Sequence, residues 1–287
     1  MMQRSGLEPT IVSEHGIKSM KLYSHLDRVT NELIAAGCDP NGPLTVADLS
    51  PFDNLHYHGT DAVQLAIHEL DLAVGHRVAE VGSGLGGPAR FLAAQSGCHV
   101  TALELQSDLN EFAEGLTARC GLTEIISHLC GDALDGPLEN NAFDAVVSWL
   151  ACYHIPDHTS LFAKIADALK PSGMIYIEDL ISRGPFTSAE SELYGTRLYG
   201  QTAPSADGYF GELERAGFTN IRIDDLSDDW ASFTNQRLAE YRSERERHLR
   251  IHGPDTVDAI EEFYDAVDQL FQGGNMGGIR VVATLAA

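Results

Sequence analysis

Short β-like segments alternate with helical segments over most of this chain, and this alternation limits the possible folds more than any other feature. Seven segments have strand character: Arg77–Val81, His99–Leu103, Ile125–Leu129, Ala145–Trp149, Met174–Ile177, Ile221–Ile223 and Arg280–Thr284. The stretches between most of them have helical apolar spacing. Such alternation predicts a doubly wound α/β sheet, whose ligands bind at the carboxyl ends of the strands. Residues that directly follow strands are therefore the functional candidates.

Two helical regions lie outside this alternation. Apolar residues at helical spacing predict one amphipathic lid helix from Ile17 to Ala36, ending at Gly37. Two long polar helices are predicted at Ala231–Ile251 and Asp255–Phe271, before the last strand. The expected organisation is an N-terminal lid and closing segment in residues 1–60, a ligand-binding domain in residues 61–287, and a helical cap at about 229–273 inserted into that domain.

The charge of the chain narrows its possible partners. The net charge is −23, from 19 basic and 42 acidic residues, and such a field repels phosphate backbones and anionic membranes. No window approaches the roughly 18 unbroken apolar residues of a membrane span. The N-terminus MMQRSGLEPT has no apolar signal region, and the five cysteines lack CxxC spacing. We expect a cytoplasmic monomer or homodimer that binds neither nucleic acid nor membrane.

A glycine-rich loop, in the segment RVAEVGSGLGGPAR, follows the first predicted strand. Gly82, Gly84 and Gly87 match the G-x-G-x-x-G spacing between a strand and a helix. Dinucleotide-binding enzymes share this spacing, so it is a weak signal alone. Glycine permits a tight turn and lets the backbone approach a ligand, without specifying which ligand.

The acid in front of this loop separates two ligand classes. Glu80 lies two residues before the first glycine, where a carboxylate would oppose the pyrophosphate of a dinucleotide. S-adenosylmethionine (SAM) instead presents a protonated amine and a sulfonium, which suit an acid. The alternative is an ordinary strand-end acid that pairs with Arg77 or Arg90.

Two further acids end the next two strands. Glu104 ends the second strand, where a carboxylate can accept both hydroxyls of a ribose. Asp132 follows the third strand, where its carboxylate can accept the adenine amino hydrogens while the amide of Ala133 meets the ring. NAD enzymes also use an acid on the ribose, so Glu104 supports a nucleoside without choosing between the cofactors.

The segments VAEVGSGLGGPARFLA, VTALELQ, CGDAL, FDAVVSWLACYHIPD and LKPSGMIYIEDL resemble those of class I SAM-dependent small-molecule methyltransferases. The chain is most similar to the group that holds the sarcosine/dimethylglycine, phosphoethanolamine and tocopherol methyltransferases. The resemblance implies a Rossmann-like sheet of seven strands, the last antiparallel, with SAM as cofactor. Leu150 departs from the pattern, because relatives often have a carboxylate or amide there. The cofactor set expected from acids and resemblance together is Glu80, Gly82, Ser83, Gly84, Glu104, Leu105, Gln106, Asp132, Ala133, Ser148, Trp149 and His58.

Three residues are candidates for catalysis. His154 follows the fourth strand, where relatives have a histidine, and a neutral imidazole there could act as a base. Its alternative role is to order the loop. Tyr57, in the segment HYHG, could face the methionine end of SAM or the acceptor. Asp179 ends the fifth strand, where it could favour a cationic amine or orient a histidine. We expect no metal, although His56 and His58 with His154 would form a three-histidine set.

The expected activity is methyl transfer from SAM to a small molecule, with the nitrogen of an amine or amino-acid-like acceptor favoured. Trp149 and Tyr153 could enclose a methylammonium. Arg183 or Arg197 could pair with an acceptor carboxylate. O-, S- or C-methylation, an NAD(P)-dependent oxidoreductase and a non-catalytic SAM-binding protein remain as alternatives.

Overall fold

The computed structural model describes residues 14–287, and the N-terminal segment MMQRSGLEPT lies outside them. The strands form one seven-stranded sheet within these residues: β1 (Arg77–Val81), β2 (His99–Glu104), β3 (Ile126–Cys130), β4 (Phe143–Trp149), β5 (Leu169–Ser182), β6 (Phe218–Asp225) and β7 (Met276–Leu285). Their order is β3-β2-β1-β4-β5-β7-β6, with β7 antiparallel to both of its neighbours. The predicted doubly wound α/β sheet of seven strands, with the last strand antiparallel, is confirmed.

Helices cover both faces of this sheet. The helices of the described residues are α1 (Glu14–Lys18), α2 (Asp27–Ala35), α3 (Val46–Asp53), α4 (Gly59–Glu69), α5 (Gly87–Ser96), α6 (Ser107–Arg119), α7 (His158–Ala168), α8 (Ser188–Arg197), α9 (Ala206–Arg215), α10 (Ser227–Ser243), α11 (Arg245–His252) and α12 (Pro254–Gly273). Neighbouring strand residues alternate between two cores. Val146 packs in the core that includes α7 and α9, and Val147 in the core that includes α4 and α5. Of the helices in the described part, none is long and apolar enough to cross a membrane.

The sheet order changes direction between β1 and β4. From β1 the chain runs outward through β2 and β3, then crosses back to β4 on the other side of β1. In open α/β sheets, ligands bind in the crevice outside the carboxyl ends of the strands at such a reversal. The fold therefore places a crevice where the glycine loop leaves β1.

Two predicted helices are each divided into two shorter helices in the structure. The single lid helix is divided into α1 and α2, because Ser19 donates its side-chain hydroxyl to the carbonyl of Gly16 and so competes with the helix. Met20 and Leu22 are both buried, although residues two apart do not share a helix face. The first predicted cap helix is divided at Glu244 into α10 and α11.

Candidate active site

A cavity of about 330 Å³ opens at the carboxyl ends of β1, β2 and β4. Eleven sequence-predicted residues line it: Glu80, Gly82, Ser83, Gly84, Glu104, Leu105, Gln106, Asp132, Ala133, Trp149 and His154. They belong to four segments of the chain, each at or just after the end of a strand. The reversal of strand order brings these segments together, as expected for a doubly wound sheet.

The glycine loop forms one wall of the cavity, and two of its glycines are required by close contacts. Gly82 has a φ of 74°, and a Cβ there would lie 2.2 Å from the Cβ of Ala151. A Cβ on Gly87 would lie 2.6 Å from the carbonyl oxygen of Asp53. Neither distance allows a side chain. The loop therefore presents backbone to the cavity.

Glu80 is a buried carboxyl with a free oxygen at this wall. It is 2% exposed, and its Oε2 has no hydrogen-bond partner among the described residues. The two arginines considered as its partners pair with other acids, Arg77 with Glu139 and Arg90 with Asp53. Burial raises the pKa of Glu80 well above its ordinary value, and nearby Arg90 opposes this effect. A bound cation would restore the charged carboxylate.

Glu104 fixes the glycine loop to the end of β2. Its Oε2 accepts a hydrogen bond from the amide of Gly84 at 2.8 Å, and its Oε1 accepts one from the amide of Gln106 at 3.0 Å. Burial raises the pKa of Glu104, while these amides oppose the shift. Each carboxylate oxygen can accept a second hydrogen bond. Glu104 thus keeps acceptor capacity for ligand hydroxyls.

Asp132 lies at the exposed rim of the cavity. Its Oδ1 accepts a hydrogen bond from the amide of Leu134 at 2.9 Å and so caps the short 3₁₀ turn Ala133–Asp135. This cap orients the backbone of Ala133 beside the cavity. Asp132 therefore lines the cavity with one of its oxygens already bonded, and its contact with adenine stays a prediction.

Several polar atoms at the cavity wall are buried and have no partner in the part of the chain that the structure describes. They are Glu80 Oε2, Ser83 Oγ, Gln106 Oε1, Trp149 Nε1 and His154 Nε2. Buried polar atoms are normally hydrogen-bonded, so a set of unpaired ones around a cavity indicates a missing polar ligand. Donors and acceptors are both present, with an acid among them. This set fits SAM, which carries hydroxyls, a carboxylate and a cationic amine.

His154 presents one nitrogen to the cavity. Its Nδ1 lies 3.1 Å from the carbonyl oxygen of Tyr199, so Nδ1 carries the proton and Nε2 carries a lone pair. Burial lowers the pKa of His154 to about 4. The imidazole is therefore neutral near pH 7, with its free lone pair at the mouth of the cavity.

Two predicted site residues serve the fold instead. Ser148 is fully buried and donates its hydroxyl to the carbonyl of Val81 at 2.9 Å, because the strand's alternation turns it away from the cavity that Trp149 lines. Asp179 lies inside the sheet, because β5 continues to Ser182.

Asp179 has both oxygens occupied. The amide of Tyr153 and the hydroxyl of Tyr209 donate to them, each at 3.2 Å. Burial raises the pKa of Asp179 to about 6. Since it does not line the cavity, the prediction that it contacts an amine is corrected: it holds Tyr153 in place.

Tyr57 lies outside the main cavity and lines a smaller chamber of about 20 Å³ beside it. Tyr23, Leu55 and Leu150 line both spaces and so form the boundary between them. Leu150 has a φ of 51°, an uncommon backbone conformation for a residue with a side chain. The structure therefore assigns Tyr57 to the chamber and not to the cofactor cavity.

His58 does not line the main cavity either, which corrects its assignment to the cofactor. Its Nε2 lies 2.7 Å from a carboxylate oxygen of Asp229 on α10. The Nε2 of His56 instead lies 2.9 Å from the carbonyl oxygen of Gly59. These two histidines and His154 therefore have separate partners.

Sequence reasoning missed the ion pair that supports the glycine loop. Arg90 is fully buried, pairs with Asp53 at 2.8 Å, and donates to the carbonyl of Leu85 within the loop. It also donates to the carbonyl of Ala113 on α6. Asp53 ends α3, in a segment without a motif, so the sequence offered no signal for this pairing.

Comparison with known proteins identifies the family. Residues 79–177 match the family model described as a methyltransferase domain. The match covers the glycine loop and the ends of β1, β2, β3 and β4, which are the segments that line the cavity. Residues 79–177 are therefore a methyltransferase domain.

Curated and solved methyltransferases resemble this one. The glycine/sarcosine/dimethylglycine N-methyltransferase of Actinopolyspora halophila is 30% identical over 200 residues, which cover 70% of this chain and 35% of the relative. The Haemonchus contortus phosphoethanolamine N-methyltransferase 2 structure has a TM-score of 0.76 at 18% identity, covering 93% of this chain and 60% of that one. The structure described as a putative sarcosine dimethylglycine methyltransferase from Galdieria sulphuraria has a TM-score of 0.72 at 18% identity, covering 91% of this chain and 98% of that one.

These likenesses differ in what they establish. The likenesses to solved structures show only the fold of this chain, because the sequence identity is 18% in both. The chain spans about a third of the length of the Actinopolyspora relative and 44% of a Zea mays phosphoethanolamine N-methyltransferase. The names of these relatives therefore describe longer proteins.

Proposed function

We propose that this chain transfers a methyl group from SAM to the nitrogen of a small amine or amino-acid-like acceptor. One observation carries the proposal: a cavity ringed by unpaired polar atoms adjoins a chamber lined by aromatic rings. The relatives named as sarcosine/dimethylglycine and phosphoethanolamine N-methyltransferases support an amine acceptor.

The strand-end acids would hold the cofactor. Glu80 would meet the ammonium of its methionine end, and Glu104 the ribose hydroxyls, while Asp132 and the amide of Ala133 would meet the adenine. When bound, SAM supplies a methyl group that is already activated on a sulfonium sulfur. The chain's own contribution is then to position the acceptor and exclude water, and good orientation can lower a barrier by roughly 7–11 kcal/mol.

The chamber, with a volume of about 20 Å³, has room for one water-sized group, so it would enclose only the nitrogen or N-methyl end of the acceptor among aromatic rings. Tyr23, Tyr57 and Tyr153 line it together with Arg237, whose guanidinium already lies 5.0 Å from the ring centroid of Tyr57. The rings of Tyr23 and Tyr153 remain to contact the amine, and each contact with a cation is worth roughly 0.5–2 kcal/mol. None of the described residues that line the chamber is Asp or Glu. Burial without a carboxylate lowers the pKa of an amine, which favours the neutral, nucleophilic form.

His154 would accept a hydrogen bond from the bound acceptor. Its Nε2 carries the free lone pair, and its Nδ1 is held by the carbonyl of Tyr199. This arrangement orients an acceptor N–H toward the imidazole.

A product assay tests the proposal. The purified chain is incubated with SAM and a panel of small amines, alcohols, thiols and apolar alkenes, and S-adenosylhomocysteine release and product mass are measured. We expect amine-dependent release and a mass gain on nitrogen. Products from the other acceptors alone would replace N-methylation by O-, S- or C-methylation. SAM binding without product would identify a non-catalytic SAM-binding protein, and NAD(P) binding without SAM binding an oxidoreductase.

The location, the oligomeric state and the segments that cover the ligands are proposed as the sequence predicts them. We propose a cytoplasmic monomer or homodimer whose residues 1–60 and 229–273 cover the bound ligands. Light scattering at several concentrations tests the assembly. Protection of these two regions from proteolysis by SAM would support their closing role.

A further inference from the structure

A second large cavity lies between the N-terminal helices α2 and α3 and the C-terminal helices α10, α11 and α12. Its volume is about 360 Å³. Leu55 and His56 line both this space and the main cavity, and Arg237 lines both this space and the aromatic chamber. We call this space the arginine cavity, after Arg28, Arg237 and Arg247 in its wall. A molecule in the chamber would therefore be within reach of it.

The charge of the arginine cavity is opposite to that of the chain. Glu32 is the single acid among the described residues that line it, against three arginines. Arg247 donates to both oxygens of Glu32, and His252 lies 2.9 Å from one of them. One arginine thus neutralises the acid. Arg28 and Arg237 remain as excess positive charge in a protein of net charge −23.

Arg237 is held among aromatic rings and lacks an acid. Its Cζ lies 4.3 Å from the ring centroid of Tyr264, 5.0 Å from that of Tyr57 and 5.5 Å from that of Phe233. Its Nε and Nη2 are buried and have no hydrogen-bond partner in the described chain. A guanidinium presents these two donors in a planar fork that matches a carboxylate or a phosphate.

More unpaired donors lie in the same wall. The Nε of Arg28 and the hydroxyl of Tyr241 are buried without hydrogen-bond partners among residues 14–287, while Nδ1 of His248 lies 3.9 Å from Oε1 of Glu32. The rings of Tyr241 and His248 stack at 4.3 Å. Several unpaired donors around one cavity indicate an anionic ligand, because such groups are otherwise costly to bury.

We propose that the arginine cavity binds an anionic group of the methyl acceptor, a carboxylate or a phosphate, with Arg237 as its principal donor and Tyr241 and Arg28 beside it. The acceptor is then an amine that carries an anion. That the bound molecule is the methyl acceptor rests on the proposed methyl transfer. The binding of an anion at this site does not depend on that proposal. The sequence-based candidates for this role are corrected, since Arg183 and Arg197 are exposed and pair with Asp228 and Glu262.

A metal ion fits the same cavity less well. Glu32, His248 and His252 place three potential ligand atoms within 4.8 Å of one another. Both oxygens of Glu32 are already bonded to Arg247, whose charge would repel a metal ion. The excess of arginine therefore favours an anion.

Anion binding is tested first, without reference to activity. The full chain is saturated with S-adenosylhomocysteine and titrated by calorimetry, in separate experiments, with inorganic phosphate and with acetate. A titration with chloride at equal ionic strength serves as the reference. Arg237→Gln and Tyr241→Phe are compared with Arg242→Gln, a matched control on α10 whose exposed guanidinium pairs with Glu261 and Asp265. We expect one anion to bind the wild type and the control, and to bind Arg237→Gln about ten- to hundredfold more weakly.

Steady-state kinetics then tests the acceptor. Sarcosine carries a carboxylate, phosphoethanolamine a phosphate, and ethanolamine neither. We expect Arg237→Gln to raise KM for the anionic acceptor about tenfold or more and to raise KM for ethanolamine much less, while Arg242→Gln changes neither value. A preference for phosphate or for acetate in the titration identifies which anion the site accepts.

The two proposals fail in different ways. The anion site is overturned, while SAM-dependent turnover stands, if neither anion binds the wild type. It is also overturned if Arg237→Gln binds the preferred anion as tightly as Arg242→Gln does. If the anion binds through Arg237 but no acceptor is methylated, the anion site stands and the proposed methyl transfer fails.

Discussion

At the scale of single residues, hydrogen bonds distinguish the acids that await a ligand from those that serve the fold. Glu80 and Asp179 are both fully buried carboxyls whose pKa is raised by burial. Asp179 has both oxygens bonded inside the sheet, whereas Glu80 has a free oxygen at the cavity. The sequence could predict Glu80, because it precedes the glycine loop. It could not show that β5 continues past Asp179.

Gly82→Ala tests the close approach of the loop after β4 to the glycine loop. Because φ is 74° and the new Cβ would lie 2.2 Å from Ala151, we expect loss of about 1–3 kcal/mol of unfolding free energy and at least tenfold weaker SAM binding. Gly115→Ala is the control, since Gly115 is helical with no atom within 4 Å of an added Cβ, and should stabilise by about 0.4–1 kcal/mol. Chemical denaturation and calorimetry measure both effects, and equal behaviour of the two variants would contradict the argument.

His154→Ala tests the role of the free imidazole nitrogen. Because an imidazole with a pKa of about 4 is a weak base, we expect the loss of one orienting hydrogen bond, which lowers kcat about tenfold, with little change in SAM affinity. Because the folded pKa of about 4 is below the ordinary value, His154 is neutral from pH 6 to 9 and contributes no step to the wild-type pH–rate profile there. Its lone pair is lost only as pH falls toward 4. His128→Ala is the control, a half-buried histidine outside the cavity whose pKa is also lowered to about 4. An unchanged kcat in His154→Ala would remove the proposed role.

At the scale of elements, the strands were predictable and the lid helices were not. The strand predictions begin or end within a few residues of β1 to β4, because alternation and burial are local signals. The division of the lid into α1 and α2 depends on a side-chain hydrogen bond of Ser19 and on packing against distant helices. Contacts such as Glu32 with Arg247, 215 residues apart, leave no local pattern.

Glu32→Gln tests the attachment of α2 to α11. Burial alone would raise the pKa of Glu32, but hydrogen bonds from His252 and Arg247 lower it to about 2. Since the folded pKa is below the unfolded one, the stabilisation is present above about pH 4.5 and is lost as pH falls toward 2. We expect the variant to lose about 1–3 kcal/mol at pH 7, to exchange amide hydrogens faster in α2, and to lack this acid-dependent loss.

The control for this attachment is Arg245→Gln on α11. Arg245 is half-exposed and pairs with Asp258 and Glu261 of α12, so its loss should destabilise the protein less than the loss of the buried Glu32 does. Equal destabilisation by the two variants, or a Glu32→Gln variant with the acid dependence of the wild type, would contradict the attachment.

At the scale of the whole molecule, two spaces of opposite electrostatic character adjoin one aromatic chamber. The acids at the strand ends line the main cavity, and the arginines of α2, α10 and α11 line the other. The first could be predicted from sequence, because a doubly wound sheet gathers successive strand ends at one edge. The second could not, because its walls come from segments at opposite ends of the chain that only packing brings together.

The most direct test of this account is a calorimetric titration of the full chain with SAM and, separately, with NAD. The account predicts that SAM binds and NAD does not, and that Glu80→Gln and Glu104→Gln each weaken SAM binding tenfold or more. Tight binding of NAD, or SAM affinity that is unchanged when Glu80 loses its charge, would contradict the claim that these strand-end carboxylates hold a cationic nucleoside.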